Sequence, residues 1–422
     1  MNRWLHIFKI KDLRNRILYV LFLLFLFRVA ATIPVPGVDV ESVRNFFQSN
    51  QFFSLANVFS GGGLSSFSIV MLGVGPYITS SIVMQMFTMV VPSLHALSRE
   101  EGEKGREQFN QYVRYLSIPI AIVQSVGMIS LLRSTGLLVE LSGLEVATAI
   151  TVITAGSTFL MWLGELITDK KIGNGLSLII AVGILASIPQ TLAQIQVNYT
   201  PSDLPEYLLY GALTILTVLG VVIVIEGQRN IPVKYSRSAR SVKGVSSVQT
   251  YLPLKVNQAG VIPIIFALSL MILPGALGSF LAQAPQDWLV SVGQALQAFQ
   301  NNQLLYAAVY FALVIIFTYF YTAVVFEPKQ IAENLQRQGG FIPGFRPGAQ
   351  TEKYLKQISN RIILGGAIFL GLIAVLPFIM TAITGNQALA IGGTGLLIVV
   401  QVIIETMKQI EAQIIVRDYD SI

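Results

Sequence analysis

The chain contains no cysteine, which excludes a disulfide framework, thiolate-held iron–sulfur clusters and a thiol nucleophile. Charge is scarce as well. Asp, Glu, Lys and Arg make up 12% of the 422 residues, against about 25% in an ordinary soluble domain. No G-x-x-x-x-G-K-[ST] run is present, so the chain has no Walker loop with which to draw energy from a nucleotide. There is no H-E-x-x-H and no buried pair of aspartates on which an intramembrane protease would depend. Gly173-Asn174-Gly175-Leu176 begins like a dinucleotide fingerprint but lacks the later glycine and a preceding strand. The first apolar run is followed by Pro34-Val35-Pro36-Gly37 without a small-residue cleavage site, and reads as a retained span.

Apolar sequence is what the chain has in excess: 53% of its residues are hydrophobic and the mean hydropathy is +0.66. Ten stretches have the length and apolarity of membrane spans. They are Ile17–Ile33, Ile69–Val91, Tyr112–Leu132, Ala147–Ile167, Leu176–Val197, Leu208–Ile225, Gln258–Leu281, Leu304–Phe326, Ile362–Thr381 and Ala388–Met407. Of the 28 Lys and Arg residues, only Arg44 and Arg133 fall on the side opposite the N-terminus, and Arg28 lies inside the first span. Such asymmetry puts both termini in the cytosol. The basic balance therefore reports topology and cytosolic partners.

One run organises the rest. Val58 to Phe87 starts as a flexible segment with Gly61-Gly62-Gly63 and becomes an apolar, proline-bearing span. Irregular backbone is tolerated at membrane depth only where it is enclosed by protein or lines a cavity. The external stretch from Pro34 to Ser68 is long, and its later part, Phe53–Phe67, is expected to fold back into such a cavity, since it would otherwise expose several aromatics. Gly73-Val74-Gly75-Pro76-Tyr77-Ile78 is echoed far downstream by Gly260-Val261-Ile262-Pro263-Ile264-Ile265. Interrupted spans at matching places in two halves point to a site at the repeat interface.

Ile78 and Ile82 are four apart and share a helix face, as do Leu176 and Ile180. From the residues alone these pairs fit a pore lining or a dry helix-packing core. Gln85 and Gln124 are polar groups inside spans that need partners or water. Arg28, close to Pro34, is expected to snorkel outward. Two cytosolic loops are long and basic. Residues 226–256 carry Arg229, Lys234, Arg237, Arg240 and Lys243, with alternation at Ile231–Tyr235 and Val248–Leu254 compatible with a hairpin. Residues 327–360 read as two helices around Pro343-Gly344-Phe345-Arg346-Pro347-Gly348, a stiff tip presenting Arg346. Orientation explains their charge but not their length, so docking to an acidic partner or RNA is expected.

Ile33-Pro-Val-Pro-Gly37, Gly75-Pro76-Tyr-Ile78, Met161-Trp-Leu-Gly-Glu165, Ile172-Gly-Asn-Gly175, Leu252-Pro-Leu-Lys-Val-Asn257, Ala259-Gly-Val-Ile-Pro263 and Phe345-Arg-Pro-Gly348 together resemble the SecY family of protein-translocation channels. The resemblance covers essentially the whole chain. It implies an all-α polytopic membrane protein with ten transmembrane helices. They form two inverted five-helix halves, 1–200 and 201–422, around an hourglass pore. By resemblance, a waist of six apolar side chains falls on Ile78, Ile82, Leu176, Ile180, Ile265 and Ile398. A plug at about 55–67 includes Leu55, Phe59, Gly61, Gly62, Gly63, Leu64 and Phe67. Gln124 and Asn257 fall at a lateral gate, with Gln85 added from its place in the second span. Arg346 matches a docking arginine, while Arg229-Asn230 departs from the paired basic residues often found there.

The implied function is conduction of unfolded polypeptides across the membrane and lateral release of transmembrane segments, with no cofactor and no covalent chemistry. The implied partners are SecE-like and SecG-like small subunits, the SecA motor ATPase, the ribosome, signal sequences with their nascent chains, and membrane lipid. The implied location is the cell's inner membrane. A secondary solute transporter shares inverted repeats and broken helices but ordinarily places ionisable groups near the midplane. Here Glu165, Glu226, Glu327 and Glu405 cluster at span ends.

Overall fold

The structure, a computed structural model, describes residues 10–35, 57, 60–64, 66–99, 102–134, 136, 142–197, 204–235, 250–282, 284, 286–384 and 392–420. The plug residues Leu55 and Phe59 and the loop residues Arg237, Arg240 and Lys243 lie outside them.

The first half of the chain builds α1 (Lys11–Thr32), α2 (Gly75–Val90), α3 (Pro92–Arg99), α4 (Gly102–Ser134), α5 (Gly143–Asp169) and α6 (Gly175–Val197). The second half builds α7 (Leu204–Glu226), β1 (Gln228–Tyr235), β2 (Thr250–Lys255), α8 (Ile262–Leu281), α9 (Asp287–Asn301), α10 (Gln303–Val325), α11 (Pro328–Arg337), β3 (Gly340–Phe341), α12 (Ala349–Thr384) and α13 (Gly392–Asp420). Each expected span overlaps a helix among the described residues. Among the described residues, six helices are long and apolar enough to cross a bilayer alone, and α2 with α3 forms a further pair bent by 116°. Shorter apolar helices run over Gly175–Pro189 and Ile262–Met271.

Local chemistry sets the ends. α1 stops at Thr32 because Ile33 precedes Pro34, which disfavours helical backbone before it. α5 opens with a capping box: Ser142 accepts from the Glu145 amide while the Glu145 carboxylate accepts from the Ser142 amide. The second span starts later than its apolar run suggests. Residues 69–74 form turns, and the helix begins at Gly75 with Pro76 in its first turn, where a missing N–H costs nothing. Its 16 residues reach about 24 Å, short of the roughly 30 Å hydrocarbon core. The turns supply the rest of the crossing. The longest helices run well past the hydrocarbon core. α4 has 33 residues, α12 has 36 and α13 has 29, so each carries its apolar stretch on into a polar extension.

Within the first half, α1 packs on α5 and α6, and α2 on α4 and α5. Within the second, α8 packs on α9, α10 and α12, and α13 on α7 and α12. The halves meet along two lines, α8 against α2 and α4, and α13 against α6. One continuous apolar core runs through both, from Phe27 and Phe67 to Tyr310 and Ile398. At the membrane's edge α7 and α13 are tied by Lys408 Nζ to Glu226 Oε1 at 2.7 Å, and α4 and α5 by Arg114 Nε to Glu165 Oε1 at 2.6 Å.

Candidate functional site

The two echoed sequences fold alike. Gly73 and Gly260 both take positive φ, 58° and 67°, a conformation glycine adopts without a Cβ clash. Each is followed at once by a helix whose second residue is proline, Pro76 in α2 and Pro263 in α8. The amide of Ile78 then donates to Val74 O at 3.1 Å, and that of Ile265 to Val261 O at 3.3 Å. Ile78 and Ile265 thus hold the same position in two helix starts contributed by opposite halves. α2 and α8 are also in contact where the halves meet.

The glycine-rich segment leads into the first of these helix starts. Ser60, Gly61, Gly63, Leu64, Phe67, Ser68, Val70 and Met71 are all buried. The segment is fastened to the outer end of α1: Val35 N donates to Phe67 O and Ile69 N to Ile33 O, each at 2.9 Å, and Ser66 Oγ to Ala31 O at 3.1 Å. Missing side chains on two neighbouring helices make room for it. A Cβ on Gly156 of α5 would stand 1.9 Å from Ile69 O, and one on Gly183 of α6 would stand 2.4 Å from Gly61 Cα. Ser157 Oγ completes the α5 contact by donating to Gly73 O at 3.0 Å. Arg28 departs from expectation here. It does not reach outward; its Nη1 donates to Gly61 O at 2.7 Å.

Of the expected waist residues, Ile180, Ile265 and Ile398 are buried in the shared core, with Ile78 packed against it, and Ile82 is buried at 8% exposure. Leu176 packs against the same core but is only half-buried. It lies in the first turn of α6, just after Lys170 and Lys171, and its Cδ2 sits 2.6 Å from where a Cβ on Gly164 would be. The α5 and α6 backbones nearly touch there, since a Cβ on Gly175 would stand 1.9 Å from Gly164 O. That first turn of α6 is therefore packed closely against α5. Ile184, four residues beyond Ile180 and so on the same face, is 4% exposed within the common core.

The polar side chains expected at a lateral gate bond inside their own halves. Gln85 Nε2 donates to Ser81 Oγ at 3.2 Å, and Asn257 Nδ2 to Gly260 O at 3.1 Å. Gln85 Oε1 and Asn257 Oδ1 are buried without a partner. Gln124 is half-buried on α4. Each unmatched buried acceptor costs about 1–3 kcal/mol.

The two basic loops form one body. The hairpin pairs Gln228–Tyr235 with Thr250–Lys255, and β3 from the other loop adds through Lys234↔Phe341 and Tyr235↔Gly340, giving strand order β2-β1-β3. Beneath it Ile231, Val233, Leu254, Leu335, Ile342, Leu355 and Ile358 make a separate small core. Arg229, Lys234 and Arg346 are exposed on this body. The tip carrying Arg346 is held from both sides. Its amide donates to Gln350 Oε1 at 3.3 Å and its carbonyl accepts from Thr351 Oγ1 at 3.0 Å, while Phe345 stacks on Tyr354 at 3.9 Å.

A family model described as SecY matches residues 68–407, spanning both helix starts, the seam and the cytosolic body. The chain belongs to the SecY family of protein translocase subunits. Relatives named protein translocase subunit SecY include that of Mycobacterium bovis, 40% identical over 97% of this chain and 96% of its own. That of Aquifex aeolicus is 39% identical over 98% and 97%. Among solved structures, one described as a protein-conducting channel covers 93% of this chain and 91% of its own, with TM-score 0.62 and 19% identity. A second, on the plug domain of SecY, covers 93% and 90% with TM-score 0.60 and 20% identity. Canine Sec61 in a ribosome-channel complex covers 93% and 91% with TM-score 0.58 and 18% identity. These share the fold, and the chain is a multi-pass membrane protein of the same architecture.

SecY-like sequence motifs alone did not indicate Ile184, Gly156, Gly183 or the target of Arg28. A signal was present for the last: Arg28 is the one charge well inside a span, and intramembrane charges almost always face an internal partner.

Proposed function

We propose that this chain is the pore subunit of a translocon in a cell's inner membrane, with both termini in the cytosol. Unfolded polypeptide passes between the halves through a constriction of Ile78, Ile82, Ile180, Ile184, Ile265 and Ile398. The observation that carries the reading is the matched pair of helix starts. Each half supplies a left-handed glycine, a helix-opening proline and an isoleucine at the junction, with a buried glycine-rich segment leading into the first.

A constriction of aliphatic side chains excludes water and ions by dewetting. It makes no fixed polar contact, so it accepts any extended sequence. The segment from Ser60 to Phe67 closes the outer side when the channel is idle. The seam of α2 and α4 against α8 is the lateral exit, where a signal sequence opens the channel by binding the parted state more tightly than the closed one. Energy comes from outside the chain, through a ribosome or a SecA motor seated on the cytosolic body, with Arg229, Lys234 and Arg346 meeting acidic groups or rRNA phosphates. SecE-like and SecG-like subunits brace the halves. A solute transporter is disfavoured because Arg28, the one charge deep in a span, is engaged by a backbone carbonyl.

The absence of cysteine makes the test direct. Single cysteines at Ile82, Ile184, Ile265 and Ile398 are expected to crosslink to a stalled secretory chain, while one at Leu176 crosslinks weakly or not at all. Strong crosslinks only from lipid-facing positions such as Leu216 would overturn the conduit.

A further inference from the structure

The guanidinium of Arg28 reaches Gly61 O at 2.7 Å from a half-buried position on α1. Gly61 is held on two further sides. A Cβ placed on it would stand 2.8 Å from Phe27 Cζ and 3.1 Å from Gly183 Cα, and its φ is +73°. That left-handed conformation is open to glycine and strained for other residues. The backbone hydrogen bonds from α1 to this segment lie at its far end, at Phe67 and Ile69, and Ser66 bonds beside them. Arg28 thus holds the near end, where the segment crosses α6. An arginine keeps its charge and presents several donors in a fixed fork, and a hydrogen bond from an ionised donor is about twice as strong as a neutral one.

We propose that Arg28 is a positioning residue for the closed channel: its guanidinium clasps the Gly61 carbonyl and holds the 60–69 segment down on Gly183 of α6. The clasp rests on the reading that this segment closes the passage. Opening requires the bond to break and Gly61 to lift from α6, so Arg28 sets how often the idle channel leaks without blocking a chain once it is threaded.

The test uses the full-length channel, purified with the small subunits that accompany it and reconstituted in planar bilayers without substrate. Resting ion conductance is the readout. Arg28→Leu is expected to raise it at least about tenfold, the factor that corresponds to losing one charge-assisted hydrogen bond from the closed state. Arg28→Lys, which keeps a charged donor, should remain within about threefold of the parent. Gly183→Ala should also raise conductance, because it displaces Gly61 without touching Arg28. In a channel lacking residues 60–67, Arg28→Leu should add nothing further, as expected for two changes acting on one interaction.

If the deletion raises conductance and Arg28→Leu does not, the clasp is wrong and the closing segment stands. If the deletion itself leaves conductance unchanged, the closing segment falls and the clasp with it. An equal rise from Arg28→Leu in both backgrounds places its action elsewhere and overturns the proposal. Should Arg28→Leu reduce the amount of channel in the membrane, a Ser66→Cys reporter decides. Its labelling by an impermeant maleimide, per channel, must accelerate with Arg28→Leu and not with Arg28→Lys; equal rates refute the clasp.

Discussion

Gly61, in the membrane segment, and Gly344, in the cytosolic tip, both hold positive φ, 73° and 89°, yet their surroundings are opposite. Gly61 is pressed between Phe27 and Gly183, whereas nothing would meet a Cβ on Gly344 within 4 Å. The first glycine is needed for space, the second for the turn alone. The same contrast separates the two regions. The membrane segment is positioned by neighbours that lack side chains, Gly156 and Gly183 among them. The cytosolic tip is positioned from within, by the hydrogen bonds of Gln350 and Thr351 and the stack of Phe345 on Tyr354. A segment that must leave its place is better held by fit against its neighbours, and a docking tip by its own rigidity.

Three substitutions would break or sharpen this contrast. Gly156→Val should have the largest effect, because the added atoms meet backbone at Ile69 that no rotamer change can clear. A loss of about 3 kcal/mol, the upper end for overpacking, would appear as a sharply reduced monodisperse fraction after mild heating in detergent; an unchanged fraction would show that the turns at 69–74 are not pinned. Arg346→Glu should leave that fraction alone yet lower export at least about tenfold, the usual weight of an interface hot spot. Full export would remove the tip from the docking surface. Gly344→Ala is the mildest, about 1 kcal/mol for a non-glycine residue in left-handed backbone. It should read out as up to about fivefold faster chymotrypsin cleavage after Phe345, and a change as severe as that of Gly156→Val would erase the distinction between the two glycines.

Much of the cytosolic body was legible in the chain. Alternation at Ile231 and Val233 against Pro232 and Lys234 anticipated β1 and its hairpin, because the period of two is set by local backbone geometry. β3 was not legible. Two residues, Gly340 and Phe341, carry no periodic signal, and their pairing depends on a strand more than a hundred positions earlier. α9 was missed for a related reason. It is amphipathic, with Asp287 and Trp288 opening it, so it does not register as a membrane run. The expected start of the second span at Ile69 failed because hydropathy cannot tell a buried turn from a helix when both are apolar. The four-residue spacing of Leu176 from Ile180 gave a shared face but not the degree of burial, which is lower for Leu176.

The sequence by itself determined the membrane class, the run of apolar spans and the echo of glycine and proline at Gly73 and Gly260. Those follow from hydration of charge and from the steric limits of single residues. The tertiary structure decided which glycines touch, that Arg28 turns inward to Gly61, and that Ile184 is buried with Ile180 in the shared core while Leu176 is half-buried against it. Each of these depends on backbones far apart in sequence approaching within a few ångströms. No local preference encodes such an approach; only packing of the complete chain does.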